Sequence, residues 1–471
     1  MRTPYMKGRF LMMIKAKIIG SLFSSVLLLA ACGNGAANDD SNDNGEVVDD
    51  TSGEQVELGI TYRFAGEPDA VGNYIADFAE WFEGEQDNIS IVNESITASE
   101  GDYFSRVALA MQSSETAPEI VSQDTFMVSS DANAGHLLNL DDYVADWDEW
   151  DNFFDNIKEG VMGEDGSVYA IPSTTDSRGI WYNKTVFEEA GLPEDWQPSN
   201  WDDILGAAEA VRDNTDAVPF SMNVATVNGE ATTMQTFQML LYGTGETMYD
   251  DDSGQWNVNG QGIVDALVFI DEVMNQRQLG PSLSIAINQN YGSVMMQDML
   301  PNGEAAMVLD GSWNIANYTE GGAAPMEDPE AELGFAMMPT QDGGGDGFVT
   351  MAGGWSWAIP ANSNHHEESW EVIQQMSSEE WQTRRAMTEG VLTVREDSAE
   401  SEEYNARPFI ETATEALNYA HFRPRHDLYP NVSIFVQNAV ESVATGSATP
   451  EEAAETYRNE VINLVGEENT Y

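Results

Sequence analysis

Apolar residues near position 56 follow first the period of a strand and then that of a helix. Every second position of the first segment is hydrophobic, as in a β-strand that buries one face: Val56, Leu58, Ile60 and Tyr62. Apolar residues then recur at helical spacing between positions 71 and 82. A strand that leads directly into an amphipathic helix is the opening of an α/β unit.

The same order is repeated further along the chain. Residues 89–92 are strand-like, residues 103–112 have helical spacing, and residues 118–121 form another short apolar run. Parallel strands joined by crossover helices are the simplest arrangement that satisfies this order. We therefore predict an α/β fold in which helices flank mostly parallel sheets.

Capping signals mark two of the later helices. Ser199, with Asp202 three positions on, precedes an apolar helical segment. Thr449 is followed by Pro450 and Glu452, which combines an N-cap, a first-turn proline and a capping-box glutamate. This second signal predicts a last helix that runs to about residue 465.

The length of the folded part predicts two domains. Residues 33–55 are rich in Asn, Asp, Ser, Gly and Glu and contain almost nothing to bury, so the acidic segment 32–55 is predicted to be a disordered tether. The folded part begins near Val56 and leaves about 415 residues, more than one hydrophobic core usually holds. Two domains or lobes are therefore expected.

The first 32 residues have the layout of a secretory leader. Five Lys and Arg residues lie in the first 17 positions, residues 18–31 are mostly apolar, and small residues precede Cys32, the one cysteine of the chain. The sequence Ala30-Ala31-Cys32-Gly33 resembles a bacterial lipobox, which implies that a signal peptide 1–31 is removed and that acylated Cys32 enters the lipid bilayer. The alternative, a buried core cysteine, is disfavoured by the polar residues after it.

The charge is strongly negative and excludes one class of partner. The chain has 81 acidic and 19 basic residues, a formal net charge of −62. Such a surface repels phosphate backbones, so we expect no binding to nucleic acid. The acidic residues are spread along the chain, which indicates adaptation to concentrated salt, where the Debye length falls to about 3 Å at 1 M. A surface that attracts cationic ligands is the alternative interpretation.

Four segments carry a family resemblance. Residues 169–192 read YAIPSTTDSRGIWYNKTVFEEAGL, residues 303–313 read GEAAMVLDGSW, residues 353–360 read GGWSWAIP, and residues 377–382 and 391–395 read SSEEWQ and VLTVR. In this order they resemble the bacterial extracellular solute-binding proteins of family 1, the carbohydrate-binding group that serves ABC importers. The four segments span most of residues 56–465.

The resemblance implies a two-lobed fold of the type II periplasmic-binding-protein class, with three hinge crossings and the ligand held between the lobes. By that likeness the N-terminal lobe is 56–176 plus 346–392, and the C-terminal lobe is 177–345 plus 393–471. It also implies a lipid-anchored protein on the extracellular face of the cytoplasmic membrane. We expect a monomer that delivers a sugar or oligosaccharide to ABC transporter permease subunits, without enzymatic activity.

Aromatic side chains are the first candidates for the ligand site. Sugars present apolar ring faces that stack on flat aromatic surfaces. Trp313 and Trp355 follow glycine or serine at the ends of motif strands, where a backbone without bulk would let an indole face the cleft. Trp357 lies within a strand and is expected to be structural. Tyr62, Tyr242 and Tyr429, the last placed before a helix starting near residue 431, are further candidates.

Charged residues complete the predicted site. Asp124 ends a short strand and Asp176 lies at the first crossing, so both carboxylates could accept hydrogen bonds from vicinal hydroxyls. Arginines are scarce in this chain, and Arg178, Arg63, Arg425 and Arg423 are candidates to contact the ligand or to lock the lobes. Ion pairing with the acidic surface is the alternative for each of them.

No cofactor or metal is expected from the motifs. The adjacent residues His365 and His366 lack the spacing of a zinc helix, and the glycine-rich residues 343–347 lack the ending of a phosphate loop. The acidic residues 250–252 lack the distal glutamate of a calcium loop. Two functions remain as alternatives to sugar capture: a binding protein of the same fold for an acidic sugar, anion or polyamine, and a secreted glycosidase.

Overall fold

Two mixed β-sheets, each with its own packing of helices, organise the chain. The structure is a computed structural model that describes residues 55–66 and 69–471. The predicted signal peptide, Cys32 and tether residues 32–54 lie outside the described residues. Among the described residues, no helix has the length and apolarity needed to span a bilayer.

The strands of the described residues form four sheets. In chain order they are β1 Val56–Phe64, β2 Ile89–Thr97, β3 Ile120–Asp124, β4 Ile171–Pro172, β5 Arg178–Asn183, β6 Val218–Ser221, β7 Tyr249–Asp250, β8 Gln255–Trp256, β9 Ala305–Gly311, β10 Leu333–Met337, β11 Thr350–Met351, β12 Trp355–Ala358 and β13 Ala420–His421. The first large sheet has the order β2-β1-β3-β12-β4 and the second has the order β10-β5-β9-β6. Strands β7 and β8 form a hairpin, and β11 pairs with β13.

Helices cover both large sheets. They are α1 Ala70–Glu85, α2 Glu100–Ala110, α3 Thr125–Asn133, α4 Asp141–Ala145, α5 Asp155–Lys158, α6 Lys184–Ala190, α7 Trp201–Asn214, α8 Met239–Gly243, α9 Gln261–Asp271, α10 Leu283–Ala286, α11 Tyr291–Ser293, α12 Ile315–Tyr318, α13 Pro329–Glu332, α14 His366–Met376, α15 Glu379–Glu389, α16 Glu396–Ala399, α17 Glu402–Asn405, α18 Ile410–Glu415, α19 Tyr429–Ala444 and α20 Pro450–Val465. Helices α8, α9 and α11 are continuous with the π-helical segments Thr232–Gln238, Glu272–Gln276 and Val294–Met299.

The prediction of mostly parallel sheets is wrong for the second sheet. Strand β1 pairs in parallel with β2 and β3, as predicted, but β12 is antiparallel to both β3 and β4. In the second sheet β5 is antiparallel to both β9 and β10, and the pair β6–β9 alone is parallel. A crossover helix connects two parallel strands of the same sheet. Strands β5 and β12 instead follow segments that pass from one sheet to the other, so no crossover sets their direction.

Helix ends follow the local sequence with one correction. The side chain of Asn183 accepts a hydrogen bond from the amide of Val186, and Gly191 ends α6 in the left-handed region at φ 77°. Thr449 and Glu452 form the predicted capping box of α20. The N-cap of α7 is Asn200 instead of the predicted Ser199, and the Asn200 side chain accepts a hydrogen bond of 3.0 Å from the amide of Asp203. Serine and asparagine are about equally good caps, so the local sequence did not distinguish the two positions.

Separate hydrophobic cores lie around the two sheets. One core contains β1, β3 and α1 and includes Trp357, which is fully buried as predicted. A second core joins one face of β5 and β9 to α7, α9, α19 and α20, and a third covers the opposite face of the second sheet. Segments of the chain pass between the sheets at β4–β5, at β10–β12 and after α15. Near these passages Met351 packs beside the second sheet and Val394 beside the first.

Gly354 permits close packing of two of these passages. Its φ is +136°, and a Cβ at this position would overlap the carbonyl oxygen of Thr174. Its own carbonyl accepts a hydrogen bond of 3.1 Å from the amide of Thr125. A residue with a side chain is therefore both strained and obstructed here.

We predict that Gly354→Ala lowers the free energy of unfolding by about 3 kcal/mol or more, since backbone atoms would have to move. Gly206→Ala is the matched control, because Gly206 lies inside α7 with open space around its Cβ position. That control should stabilise the protein by about 0.5–1 kcal/mol. Denaturant titration at fixed salt measures both values, and equal effects of the two substitutions would contradict the packing described for Gly354.

Candidate functional site

Backbone pairing brings five of the predicted site residues to or near facing edges of the two sheets. Asp124 is the last residue of β3, and in the register of the first sheet it lies opposite Trp355, the first residue of β12. Arg178 begins β5 and lies opposite Gly311, two residues before Trp313. An isolated bridge between Asp176 and Gly353 connects the two regions.

Arg178 holds the Trp313 indole in place. The Arg178 guanidinium lies over the Trp313 ring, 4.9 Å from its centroid, and Nη1 donates to Asp176 Oδ1 and to the carbonyl of Met351 at 3.0 Å. The amide of Gly353 also donates to Asp176 Oδ1 at 2.9 Å. The Trp313 ring lies against Gly311, where a Cβ would overlap it. Trp313 remains partly exposed.

Trp355 is the second partly exposed indole. It stacks on Phe104 with ring centroids 5.9 Å apart and meets Tyr103 edge-on at 6.1 Å. Phe104 in turn packs edge-on against Phe126, at 5.1 Å. These contacts form an aromatic wall at the carboxyl end of β3, and they fix the orientation of the Trp355 ring.

Arg423 lies at the centre of a buried ionic network. Its Nη2 donates to Asp124 Oδ1 at 2.6 Å and to Thr125 Oγ1 at 2.8 Å, and its Nη1 lies 3.8 Å from Glu230 Oε1. Its guanidinium also lies 4.8 Å from the centroid of the Phe126 ring. We define the Arg423 network as Arg423, Asp124, Glu230, Asp176 and Arg178.

Gly353 is the point where the two arginines of this network meet. A Cβ there would lie 2.9 Å from Arg423 Nη2 and 3.6 Å from Arg178 Nη1. The absence of a side chain therefore lets both guanidinium groups approach the same stretch of backbone. Each of the two cations forms an ion pair with its own carboxylate: Asp124 pairs with Arg423, and Asp176 pairs with Arg178.

Burial shifts the titration of the carboxylates in this region. Burial raises the pKa of Asp124 and of Glu230, and the positive charge of Arg423 opposes the shift in both. Loss of hydration, together with the negative charge of Asp124, raises the pKa of Glu100 to about 7. Burial also raises the pKa of Asp310 to about 6, against a hydrogen bond from the amide of Gly311.

Most of the other predicted residues line one of two cavities. Tyr62, Arg63 and Trp355 line a cavity of about 100 Å³ at the edge of the first sheet. Tyr242 and Arg425 line another of about 260 Å³, which Arg423 also borders. Arg425 is exposed, whereas Tyr242 is buried against the ring of His421.

The hydroxyl groups of two predicted tyrosines already have protein partners. The Tyr62 hydroxyl donates to Asp69 Oδ2 at 2.7 Å, and the Tyr429 hydroxyl donates to Glu230 Oε1. Both side chains are buried, at 2% and 0% exposure. Tyr429 is the first residue of α19, which corrects the predicted helix start near residue 431.

Four residues of the region are absent from the sequence prediction: Phe104, Phe126, Glu100 and Glu230. Phe126 lies two residues after Asp124, where β3 ends and α3 begins. Its nearness in the sequence to a predicted site residue could have indicated its position. Glu230 lies in a stretch without a recognisable motif, and nothing local distinguishes it among 81 acidic residues. Its role becomes visible only through the contact with Arg423.

One group of side chains among the described residues could hold a metal ion. It consists of Glu164, His426 and Asp427, whose ligand atoms lie within 4.8 Å of one another. His426 Nδ1 accepts a hydrogen bond of 3.1 Å from the amide of Leu428, and Asp427 Oδ2 accepts one of 2.8 Å from Asn133. His426 Nδ1 and Asp427 Oδ2 therefore each already accept one hydrogen bond from the protein.

Comparison with known proteins identifies the family. A family model described as bacterial extracellular solute-binding protein matches residues 65–383. The chain belongs to this family. A binding protein of Brucella abortus is 22% identical over 61% of this chain, which spans 65% of the length of that curated relative. A maltooligosaccharide ABC transporter solute-binding lipoprotein of Streptococcus pneumoniae is 22% identical over 97% of both chains.

A solved structure confirms the fold class of this solute-binding protein. An ABC transporter solute-binding protein from Thermotoga lettingae, bound with α-D-tagatose, superimposes with a TM-score of 0.75 at 24% identity. The match covers 88% of this chain and 100% of that chain. The predicted α/β architecture with helices on both sheets is therefore confirmed, apart from the strand directions corrected above.

The raised pKa of Asp310 predicts a pH dependence of stability in this solute-binding protein. A carboxyl whose pKa is about 6 when folded and near 4 when unfolded favours the folded state most at low pH, and this contribution is lost as the pH rises through 6. The unfolding free energy of the unsubstituted protein should fall between pH 4 and pH 7. We predict that in Asp310→Asn this fall is smaller by about 2–3 kcal/mol.

Denaturant titrations across that pH range measure the slope of the decline. Asp252→Asn, an exposed aspartate in the turn between β7 and β8, is the control and should leave the slope unchanged. An unchanged slope in Asp310→Asn would show that Asp310 titrates as an ordinary exposed carboxyl.

Proposed function

We propose that this protein is the extracellular solute-binding component of an ABC importer and that it binds a sugar or oligosaccharide between its two sheets. The observation that carries the proposal is the pairing of two partly exposed indoles, Trp313 and Trp355, with charged groups at facing sheet edges. Sugar recognition needs flat apolar surfaces for ring faces and fixed polar groups for hydroxyls. Both are present around the Arg423 network.

The relatives support the same class of ligand. The Streptococcus pneumoniae relative is named for maltooligosaccharides, and the Thermotoga lettingae structure contains a bound monosaccharide. The family is one of transport proteins, so we propose that this chain binds its sugar without chemical change. Incubation with a bound oligosaccharide should accordingly yield no product.

We propose that the two lobes are residues 56–176 plus 346–392 and residues 177–345 plus 393–471. The separate cores around the two sheets support two lobes, although Met351 and Val394 pack on the opposite side of the proposed boundaries. Ligand contacts from both lobes would favour a closed arrangement over an open one, since a ligand shifts an equilibrium by its differential affinity for the two states. Asp124 and Trp355 would contribute from one lobe, and Arg178, Trp313 and Arg423 from the other.

The proposal includes a location and a set of partners. The family consists of extracellular proteins, and the leader of this chain is basic and then apolar, so both support export. We propose that a lipid is then attached at Cys32. The anchored protein would deliver the sugar to ABC permease subunits. We propose a monomer without cofactor or metal. The net charge of −62 supports function in concentrated salt, where the self-repulsion of the surface is screened.

The two exposed indoles should affect binding more than folding. Trp313→Ala and Trp355→Ala are each expected to weaken oligosaccharide binding about tenfold or more, because a stacking surface is lost. The melting temperature should fall less than after a substitution in the core, since both side chains are partly exposed. Calorimetric titration and thermal unfolding in molar salt measure the two effects.

Trp357→Ala is the matched control for this experiment. Trp357 is fully buried two residues from Trp355, so its loss should lower the melting temperature markedly. Undiminished sugar affinity in both Trp313→Ala and Trp355→Ala would refute the proposed site. A stability loss as large as that of the control would instead assign the substituted indole to the core.

A further inference from the structure

A small cavity at the edge of the first sheet has an unusual set of charges. It has a volume of about 100 Å³ and lies where β1 and β3 end and β12 begins. Its walls are two aromatic residues, two small apolar ones, a serine and three charged residues: Tyr62, Trp355, Ala65, Val71, Ser122, Arg63, Arg385 and Glu389. One wall is therefore the same Trp355 that borders the proposed sugar site.

Arg385 has unused hydrogen-bonding capacity at this cavity. Its side chain is 1% exposed, and its Nε donates to Glu389 Oε1 at 2.8 Å. Its guanidinium lies 4.5 Å from the ring centroid of Trp357 and 5.4 Å from that of Tyr74. Within residues 55–66 and 69–471, its Nη1 has no hydrogen-bond partner. A buried N–H without an acceptor is costly, so an acceptor from a ligand would be favoured there.

Arg63 brings a second positive charge to the same walls. Its Nε donates to the carbonyl of Ala98 at 3.4 Å. No described carboxylate forms an ion pair with it, and this is notable in a chain with 81 acidic residues. The nearby carboxylate of Asp69 accepts hydrogen bonds from Tyr62 and from the amide of Gly72. The cavity walls thus carry two guanidinium groups against one carboxylate, Glu389, which Arg385 already neutralises.

The dimensions limit what can enter. A volume of about 100 Å³ is small beside the roughly 300–1,000 Å³ of typical ligand pockets, so the cavity suits a ring substituent better than a whole ligand. A planar group with two acceptor oxygens suits guanidinium donors, because Arg binds carboxylates in a bidentate manner. Because Trp355 forms one wall of the cavity, a substituent inside it would lie beside a sugar ring that stacks on the Trp355 indole.

We propose that this cavity binds the carboxylate of an acidic sugar, so that the natural ligand carries a hexuronic acid. The proposal rests on the proposed function, since it assumes that Trp355 borders the sugar site. Arg63 and Arg385 would hold the carboxylate oxygens, while Trp355 contacts the ring.

The test compares sugars that differ only at C6. Gluco-, galacto- and manno-configured disaccharides and their hexuronate counterparts are titrated calorimetrically into the intact protein in 1 M NaCl. Molar salt is required because the acidic surface would repel any anion in dilute buffer, whereas a contact inside a cavity is screened much less. At least one hexuronate should bind about tenfold or more tighter than its neutral counterpart, as expected for charge-assisted hydrogen bonds.

Arg63→Gln is the main variant, because Arg63 is partly exposed and its replacement leaves the core intact. It should abolish the preference for the hexuronate, because its affinity for the hexuronate should fall about tenfold or more relative to its affinity for the neutral sugar. Arg385→Gln should act in the same direction, with its folding checked by thermal unfolding. Arg384→Gln is the matched control, since Arg384 is the neighbouring residue of α15 and pairs with Asp77 at the surface.

The outcomes separate this inference from the proposed function. If neutral sugars bind as tightly as all three hexuronates, or if the preference survives in Arg63→Gln, the inference is wrong while sugar binding stands. If sugars of neither series bind, the proposed function fails and this inference fails with it. A preference that Arg384→Gln also removes would reflect surface charge alone and would overturn the assignment to this cavity.

Discussion

The ion pair between Arg423 and Asp124 constrains the rest of the site. These residues are 299 positions apart in the chain, yet their side chains meet in a region where both are at least nine-tenths buried. Removal of two charges from water is expensive unless geometry and hydrogen bonds compensate. Here Thr125 and Glu230 supply further acceptors for the guanidinium. The chain segments that carry these groups must therefore stay close together.

The neighbouring features follow from this constraint. Gly353 leaves space for Arg423 and Arg178, and Asp176 connects Arg178 to the backbone at Gly353. Because Arg178 lies over Trp313, the same network that holds separate chain segments together also orients an indole. In an acidic chain with few cations, the arginines concentrated at this position connect chain segments that are far apart in the sequence.

Patterns within short segments predicted much of the fold. The alternation from Val56 and the helical spacing after it correspond to β1 and α1, and the capping box at Thr449 starts α20 as expected. The direction of β5 and β12 could not be derived in this way. The direction of these strands depends on where the chain passes between the sheets. That is a property of the whole fold, and the hydrophobic period of a short segment does not reveal it. The Ser199 error arose because adjacent Ser and Asn residues are both competent caps.

The candidate site was only partly predictable for the same reason. Asp124 ends β3 and Trp313 comes two residues after β9, while Arg178 begins β5 and Trp355 begins β12. A local signal therefore placed all four close to strand ends. The partners of Arg423 depend on tertiary contacts, and Glu230 carries no local signal among so many acids. Tyr62 and Tyr429 were further candidates for ligand contacts, but their hydroxyl groups donate hydrogen bonds to Asp69 and Glu230.

The most direct test of the central claim, that a sugar binds around the Arg423 network, is hydrogen–deuterium exchange with and without the tightest-binding oligosaccharide. The account predicts slower exchange in residues 124–126, 176–179, 311–313, 353–356 and 423–430, with helix α20 unaffected. Protection confined to other parts of the chain, or no protection at saturating sugar, would contradict it.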